Sequence, residues 1–191
     1  KHAILSFIIP TLSANSSVTV TFQNQSTGNN TGYITQSTML GASFNFDAVI
    51  ELTNGIQQVA SARTMLSDGS FTNWLQGSIS TSIILADHSI IRRYDIGFDT
   101  WRAFRPIFHA TFWPSINKVK VRYIGEIANT EALEDQSYAL TLKIGNAAPS
   151  PVYTKALFAH PARTRWTKEF WIGGAPSAID IDHNLAYLTK T

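Results

Sequence analysis

KVKVRYIGEI, Lys118 to Ile127, is the stretch whose reading decides the fold. Val119, Val121, Tyr123 and Ile127 alternate with Lys118, Lys120, Arg122 and Glu126. An apolar residue at every second position lies on one face of an extended chain, so the segment reads as a strand with one face buried and one wet. The same period recurs on both sides of it. RPIFHATFW (105–113), YALTLKI (138–144), PVYTKALF (151–158) and RTRWTKEFWI (163–172) are strand-like and separated by turn residues. So is SIIRRYDIGF (89–98).

Toward the N-terminus, SSVTVTFQN (16–24) sets Val18, Val20 and Phe22 against threonines and predicts a half-buried strand. QSTGNNTG (25–32) is a polar turn cluster. ASFNFDAVIEL (42–52), IQQVASARTML (56–66) and WLQGSISTSIIL (74–85) read as further strands, with TNG (53–55) as a hairpin turn and SDGS (67–70) as a connection. Only DHNLAYLTKT (182–191) suggests a helix start, with Asp182 as its N-cap. About ten to twelve short strands, with turns every 8–12 residues, predict an all-β, two-sheet, mostly antiparallel β-sandwich. No strand alternates with a helix-length segment, which argues against a parallel α/β fold. The expected core is Phe44, Phe46, Trp74, Phe108, Phe112, Val119, Val121, Tyr123, Leu140, Leu142 and Trp166.

Composition narrows the class. With 44% hydrophobic and 15% charged residues over 191 positions, the chain is globular and long enough to bury a core. Its net charge of +2 is too small to argue for nucleic acid or an acidic membrane surface. No apolar run approaches the roughly twenty residues that span a bilayer, and AILSFIIP (3–10) lacks a signal-peptide cleavage pattern. The absence of cysteine excludes disulfides and thiolate metal sites. Charge is uneven: through residue 90 there are two basic against four acidic residues, and thereafter thirteen against nine. No Pro/Gly-rich linker separates these halves, so one domain over 1–191 is expected. The Lys1 start and the end at Thr191 read as a processed chain or a piece of a longer one.

Several clusters are candidates for chemistry. In HPARTRWTKEFWIGG (160–174), strand parity puts Thr164, Trp166, Lys168, Phe170 and Ile172 on one face and Arg163, Arg165, Thr167, Glu169 and Trp171 on the other. The first face reads as core interrupted by one lysine. On the second, Arg163, Arg165 and Trp171 form a candidate ligand surface, because an indole beside guanidinium groups can stack on a sugar ring. The simpler reading pairs those arginines with Glu169 and neighbouring acids. Asp95 and Asp99 could hold a cation or act as acid and base, but Arg92, Arg93, Arg102 and Arg105 are close enough to pair with them. His88 and His160 fall in turns, and His109 reads as a half-buried strand residue. Asp180, Asp182 and His183 are explained more simply by a helix cap than by a metal. No phosphate loop, G-x-S-x-G elbow or H-E-x-x-H string is present, so no catalytic residue, metal or cofactor is expected.

From Thr11 to Phe46 the chain has no Lys, Arg, Asp or Glu. A surface of Ser, Thr, Asn and Gln is less costly to desolvate than a charged one and suits repeated packing of one subunit on another. Ala3, Ile4, Leu5, Phe7, Ile8 and Ile9 would then form a strand exchanged between subunits, against the simpler reading of an ordinary core strand. Asn15, Asn24 and Asn29 head N-x-S/T patterns, which matter only in a host that glycosylates them.

WLQGSIST (74–81), FRPIFHATFWPSINKVKVRYIGE (104–126) and TRWTKEFWIGGAP (164–176) resemble segments of the β-sandwich (supersandwich) modules of large secreted bacterial polysaccharide-active proteins, among them some polysaccharide lyases. The resemblance covers about half the chain and carries no catalytic motif. It implies a non-catalytic extracellular or cell-surface module that contacts carbohydrate or braces a neighbouring protein domain. Two other classes remain open: a structural subunit of a homopolymeric appendage or virion, and a glycan lyase or hydrolase with a dispersed site.

Overall fold

The computed structural model describes residues 6–9, 11–13, 15–24, 31–87, 89–128 and 133–177. Among these residues nine strands form two antiparallel sheets: β1 (Ala48–Asn54), β2 (Ile56–Ser61), β3 (Phe71–Leu75), β4 (Thr81–Leu85), β5 (Phe104–Trp113), β6 (Lys118–Ile127), β7 (Gln136–Ile144), β8 (Ser150–His160) and β9 (Arg165–Ile172). The four-stranded sheet runs β2-β1-β7-β8 and the five-stranded sheet β3-β4-β5-β6-β9. The expected all-β sandwich is the fold.

The opening stretch is β6, next to β5 and β9, with Val119, Val121, Tyr123 and Ile127 buried. β5 alternates without a break, from buried Phe104 to half-exposed Trp113. Those inward side chains meet Ile50 and Leu52 of β1 and Leu140 and Leu142 of β7 in one core. Tyr123 ties the layers together by donating from its hydroxyl to the Lys143 carbonyl at 2.7 Å. Burial, with Asp47 adding to it, raises the Tyr123 phenol far above its ordinary range, so it remains a donor at all relevant pH.

One end of the core holds Phe44, Phe46 and Phe112 in edge-on contact, with centroids 5.2 and 4.9 Å apart. The other end is a cluster of Phe104, Tyr138, Phe158, His160 and Trp166. Within it, the Trp166 Nε1–H donates to the Tyr138 hydroxyl at 3.1 Å, and that hydroxyl lies 2.7 Å from His160 Nδ1. His160 is therefore not a turn residue but the buried last position of β8.

Several expected strands are not strands. Residues 42–44 form a 3-10 turn that ends at Asn45 with a left-handed backbone, and β1 starts only at Ala48. The segment read as one strand over 56–66 splits at Ser61, whose side chain caps α2 (Ala62–Ser67) by accepting from the Thr64 N–H. A short α1 (Gln36–Met39) is capped in the same way by Thr35. Residues 74–85 break into the end of β3, a connection and β4, with a register shift between Asn73 and Leu75. Residues 89–98 are a loop, held by one antiparallel bridge between Ile96 and Phe104 and by polar side-chain contacts. Gln58 bonds both the N–H and the carbonyl of Gly97, at 2.8 and 2.6 Å.

The largest departure is at 16–24. The alternating Val18, Val20 and Phe22 are exposed at 48%, 42% and 69%, and the segment pairs with no strand. The expected helix start at 182–191 lies outside the described residues.

Candidate functional site

The outer face of the five-stranded sheet carries an open groove of about 550 Å³. Its position follows from strand parity and register. On β5 the outward residues are His109, Thr111 and Trp113, and across the ladder they face Arg122, Lys120 and Lys118 of β6. β6 in turn sets Arg122 opposite Glu169 and Lys120 opposite Trp171 of β9. β4 adds Ser82 and Ile84, and β3 adds Trp74 and Leu75 at the rim.

The electrostatics centre on Glu169. Lys120 Nζ lies 2.7 Å from Oε1 and Arg122 Nη2 lies 3.2 Å from Oε2, so one carboxylate is shared by two cations. Partial burial pushes the Glu169 carboxyl up, but hydrogen bonds and charge from Lys120 and Arg122 outweigh it and hold the group below its ordinary range. The carboxylate is thus ionised near neutral pH and does not serve as a general acid. Next to it, burial and then the positive charge of Arg122 lower the His109 pKa, leaving a neutral imidazole that can donate and accept.

Trp113 and Trp171 stack at 5.2 Å with an interplanar angle of 28°, and Lys120 Nζ sits 5.8 Å from the Trp171 ring. At the groove's rim, Trp74 is 70% exposed. This corrects its assignment to the core: Phe71 packs inward opposite Leu85, so Trp74, three residues further along β3, has outward parity. The other expected core residues, including Phe108, Leu140 and Trp166, are buried.

The sequence candidates are not all brought together. Arg165 and Trp171 do share the outward face of β9, but they stand at its two ends, roughly 20 Å apart at strand rise. Arg163 lies beyond the strand in a turn with a left-handed backbone, φ 58°. Trp171 does not line the groove but adjoins it through Lys120, its cross-strand neighbour, while the two arginines are distant from it. On the inward face, Lys168 caps the Tyr153 ring at 4.6 Å, which explains a lysine within the core parity.

Asp95 and Asp99 serve the fold. Asp95 accepts from Arg92 Nε at 2.6 Å and faces Arg105 at 3.5 Å. Asp99 Oδ1 accepts from the Ala103 N–H and from Gln136 Nε2, closing the loop before β5. Arg93 pairs instead with Asp68 at 2.7 Å. Among the described residues no cluster of three or more His, Asp or Glu is arranged to hold a metal. His88, Asp180, Asp182 and His183 lie outside the described residues, as do Ala3, Ile4 and Leu5. Phe7, Ile8 and Ile9 are exposed and unpaired. Among the described residues no helix is long and apolar enough to cross a membrane.

The groove residues Lys120, Arg122 and Glu169 were visible in the sequence as the polar parity of two strands. Their convergence depends on β9 lying next to β6, which strand patterns alone do not reveal. No protein-family model, curated protein or solved structure matches this chain.

Proposed function

We propose that this chain is a non-catalytic, extracellular carbohydrate-contacting module that uses the outer face of its five-stranded sheet. The observation that carries the reading is Trp74, whose indole stands in solvent at the rim of a groove lined by Ile84, Ser82, Thr111, His109, Lys120 and Arg122. An exposed indole is costly to hydrate, and the C–H face of a sugar ring covers it, leaving the hydroxyls to the surrounding donors and acceptors. Among the described residues that line the groove, Glu169 is the sole carboxylate, and two cations neutralise it. Glycoside hydrolysis ordinarily needs a second carboxyl group across the scissile bond. This supports binding over cleavage.

The test is a glycan array followed by calorimetry on the positives, with Trp74→Ala and Arg122→Ala alongside. At least one glycan should bind, and Trp74→Ala should weaken it about tenfold or more. If no glycan binds, or if Trp74→Ala binds as well as the parent chain, the reading fails. The face would then be better assigned to a neighbouring protein domain.

A further inference from the structure

A strand-forming segment without a sheet coexists in this molecule with a sheet edge that carries no charge, proline or bulge. The segment is 16–24, SSVTVTFQN, which has no charge, no proline and no glycine. Val18, Val20 and Phe22 alternate with threonines, the composition that adds most readily to an existing sheet. In the described structure these residues are exposed and unpaired. Ser6 contacts Ser80 through its hydroxyl at 3.2 Å, and the Ile34 N–H donates to Thr81 Oγ1 at 3.3 Å. The chain between them therefore leaves from and returns to one corner of the sandwich, at the start of β4.

Among the described residues the sandwich has four edge strands, and three of them are guarded. β3 has the register shift next to Trp74. β8 contains Pro151 and Lys155 and has two register shifts against β7. β9 carries Arg165, Lys168 and Glu169. Charges, prolines and bulges are the devices that keep an edge from pairing with another chain. β2, IQQVAS, has none of them: it pairs with β1 in unbroken register from Ile56 to Ser61. Ile56 and Val59 are exposed there at 64% and 51%.

We infer that residues 16–24 of one copy add as a strand to the free edge of β2 in a second copy. Residues 16–24 join no ladder and β2 is paired on its inner side alone, so the pairing is intermolecular. Val18, Val20 and Phe22 share one face and would lie beside Val59, which is on the outer face of β2 with Glu51 of β1, and the backbone groups of both elements would gain partners. Because every copy supplies one donor and one acceptor, reciprocal exchange closes a dimer and head-to-tail exchange builds a chain. This inference is independent of the carbohydrate reading and shifts the exchanged element from residues 3–9 to 16–24.

The chain has no cysteine, so introduced thiols are unique. One preparation would carry Val20→Cys and another Val59→Cys, mixed and treated with a short bis-maleimide. Sedimentation of the parent chain, Val20→Lys and Val59→Lys would run in parallel. The expected result is a cross-linked product of twice the chain mass, with each lysine variant weakening self-association about tenfold or more at an unchanged unfolding midpoint. The inference is overturned by a monomer at every concentration, or by association that neither lysine variant reduces. It is equally overturned if a chain carrying both cysteines cross-links only within itself.

Discussion

Gly125 of β6 lies directly beneath the indole of Trp166: a Cβ built on it would sit 2.4 Å from Trp166 Cε2 and 2.5 Å from Phe104 Cζ. The position needs glycine for room, since both rings are packed in the aromatic cluster and neither can withdraw. Gly125→Ala should therefore destabilise the chain by about 1–3 kcal/mol through overpacking. Urea unfolding followed by tryptophan fluorescence measures it. A midpoint equal to the parent's would show that the rings can shift.

The Tyr138 hydroxyl links two groups that have few other partners. Trp166 Nε1 can only donate and the Thr164 carbonyl, 3.0 Å from His160 Nε2, can only accept. The proton order is thereby set: Trp166 donates to Tyr138, Tyr138 donates to Nδ1, and Nε2–H donates to Thr164. Tyr138→Phe breaks the chain at its centre and leaves two buried groups unsatisfied. The expected cost is about 2–4 kcal/mol, read from the same unfolding curves.

That proton order requires a neutral His160. Burial lowers its pKa below the ordinary value of 6.5, and the bond to Thr164 offsets this only in part. A histidine with a depressed folded-state pKa contributes stability that is complete above 6.5 and is lost as pH falls toward the folded value, because the unfolded chain binds the proton first. Thermal midpoints should therefore drop between neutral pH and about pH 5, before carboxylates such as Glu169 begin to titrate. In His160→Gln the baseline stability should be lower and the slope across that window shallower. An unchanged slope would move the effect to His109, which shifts in the same direction for the same leading reason.

Asp47 joins three elements through one carboxylate oxygen, which accepts from the Ala48 N–H at 2.7 Å, the Ser61 hydroxyl at 2.9 Å and the Arg63 N–H at 3.1 Å. Asp47→Ala should cost about 1–3 kcal/mol. Hydrogen exchange should show faster opening of the amides in α2 than of those in β6. Uniform acceleration across both would mean that α2 does not open separately from the sheets.

The polar face that forms the groove was legible by parity alone in β6 and β9, and Lys120, Arg122, Glu169 and Trp171 were all on it. Trp74 was not, because a strand read over 74–85 hides β3 (Phe71–Leu75), whose inward Phe71 sets the parity; local alternation does not show where a strand begins or what it pairs with. The same limitation explains the 16–24 segment, whose pattern is that of a strand while its single-chain environment offers it no pairing.

By itself the sequence determined that the chain is an antiparallel sandwich and which faces of β5, β6, β7 and β9 are buried. Period-two burial is a local property, written wherever an apolar residue occupies every second position. Tertiary structure alone decided which strands became neighbours, and hence that Lys120, Arg122 and Glu169 meet across β6 and β9. It also decided which edges stayed free. Both depend on pairings between residues far apart in the chain, where the backbone hydrogen bonds are alike for every partner and only the packing of the whole core selects among them.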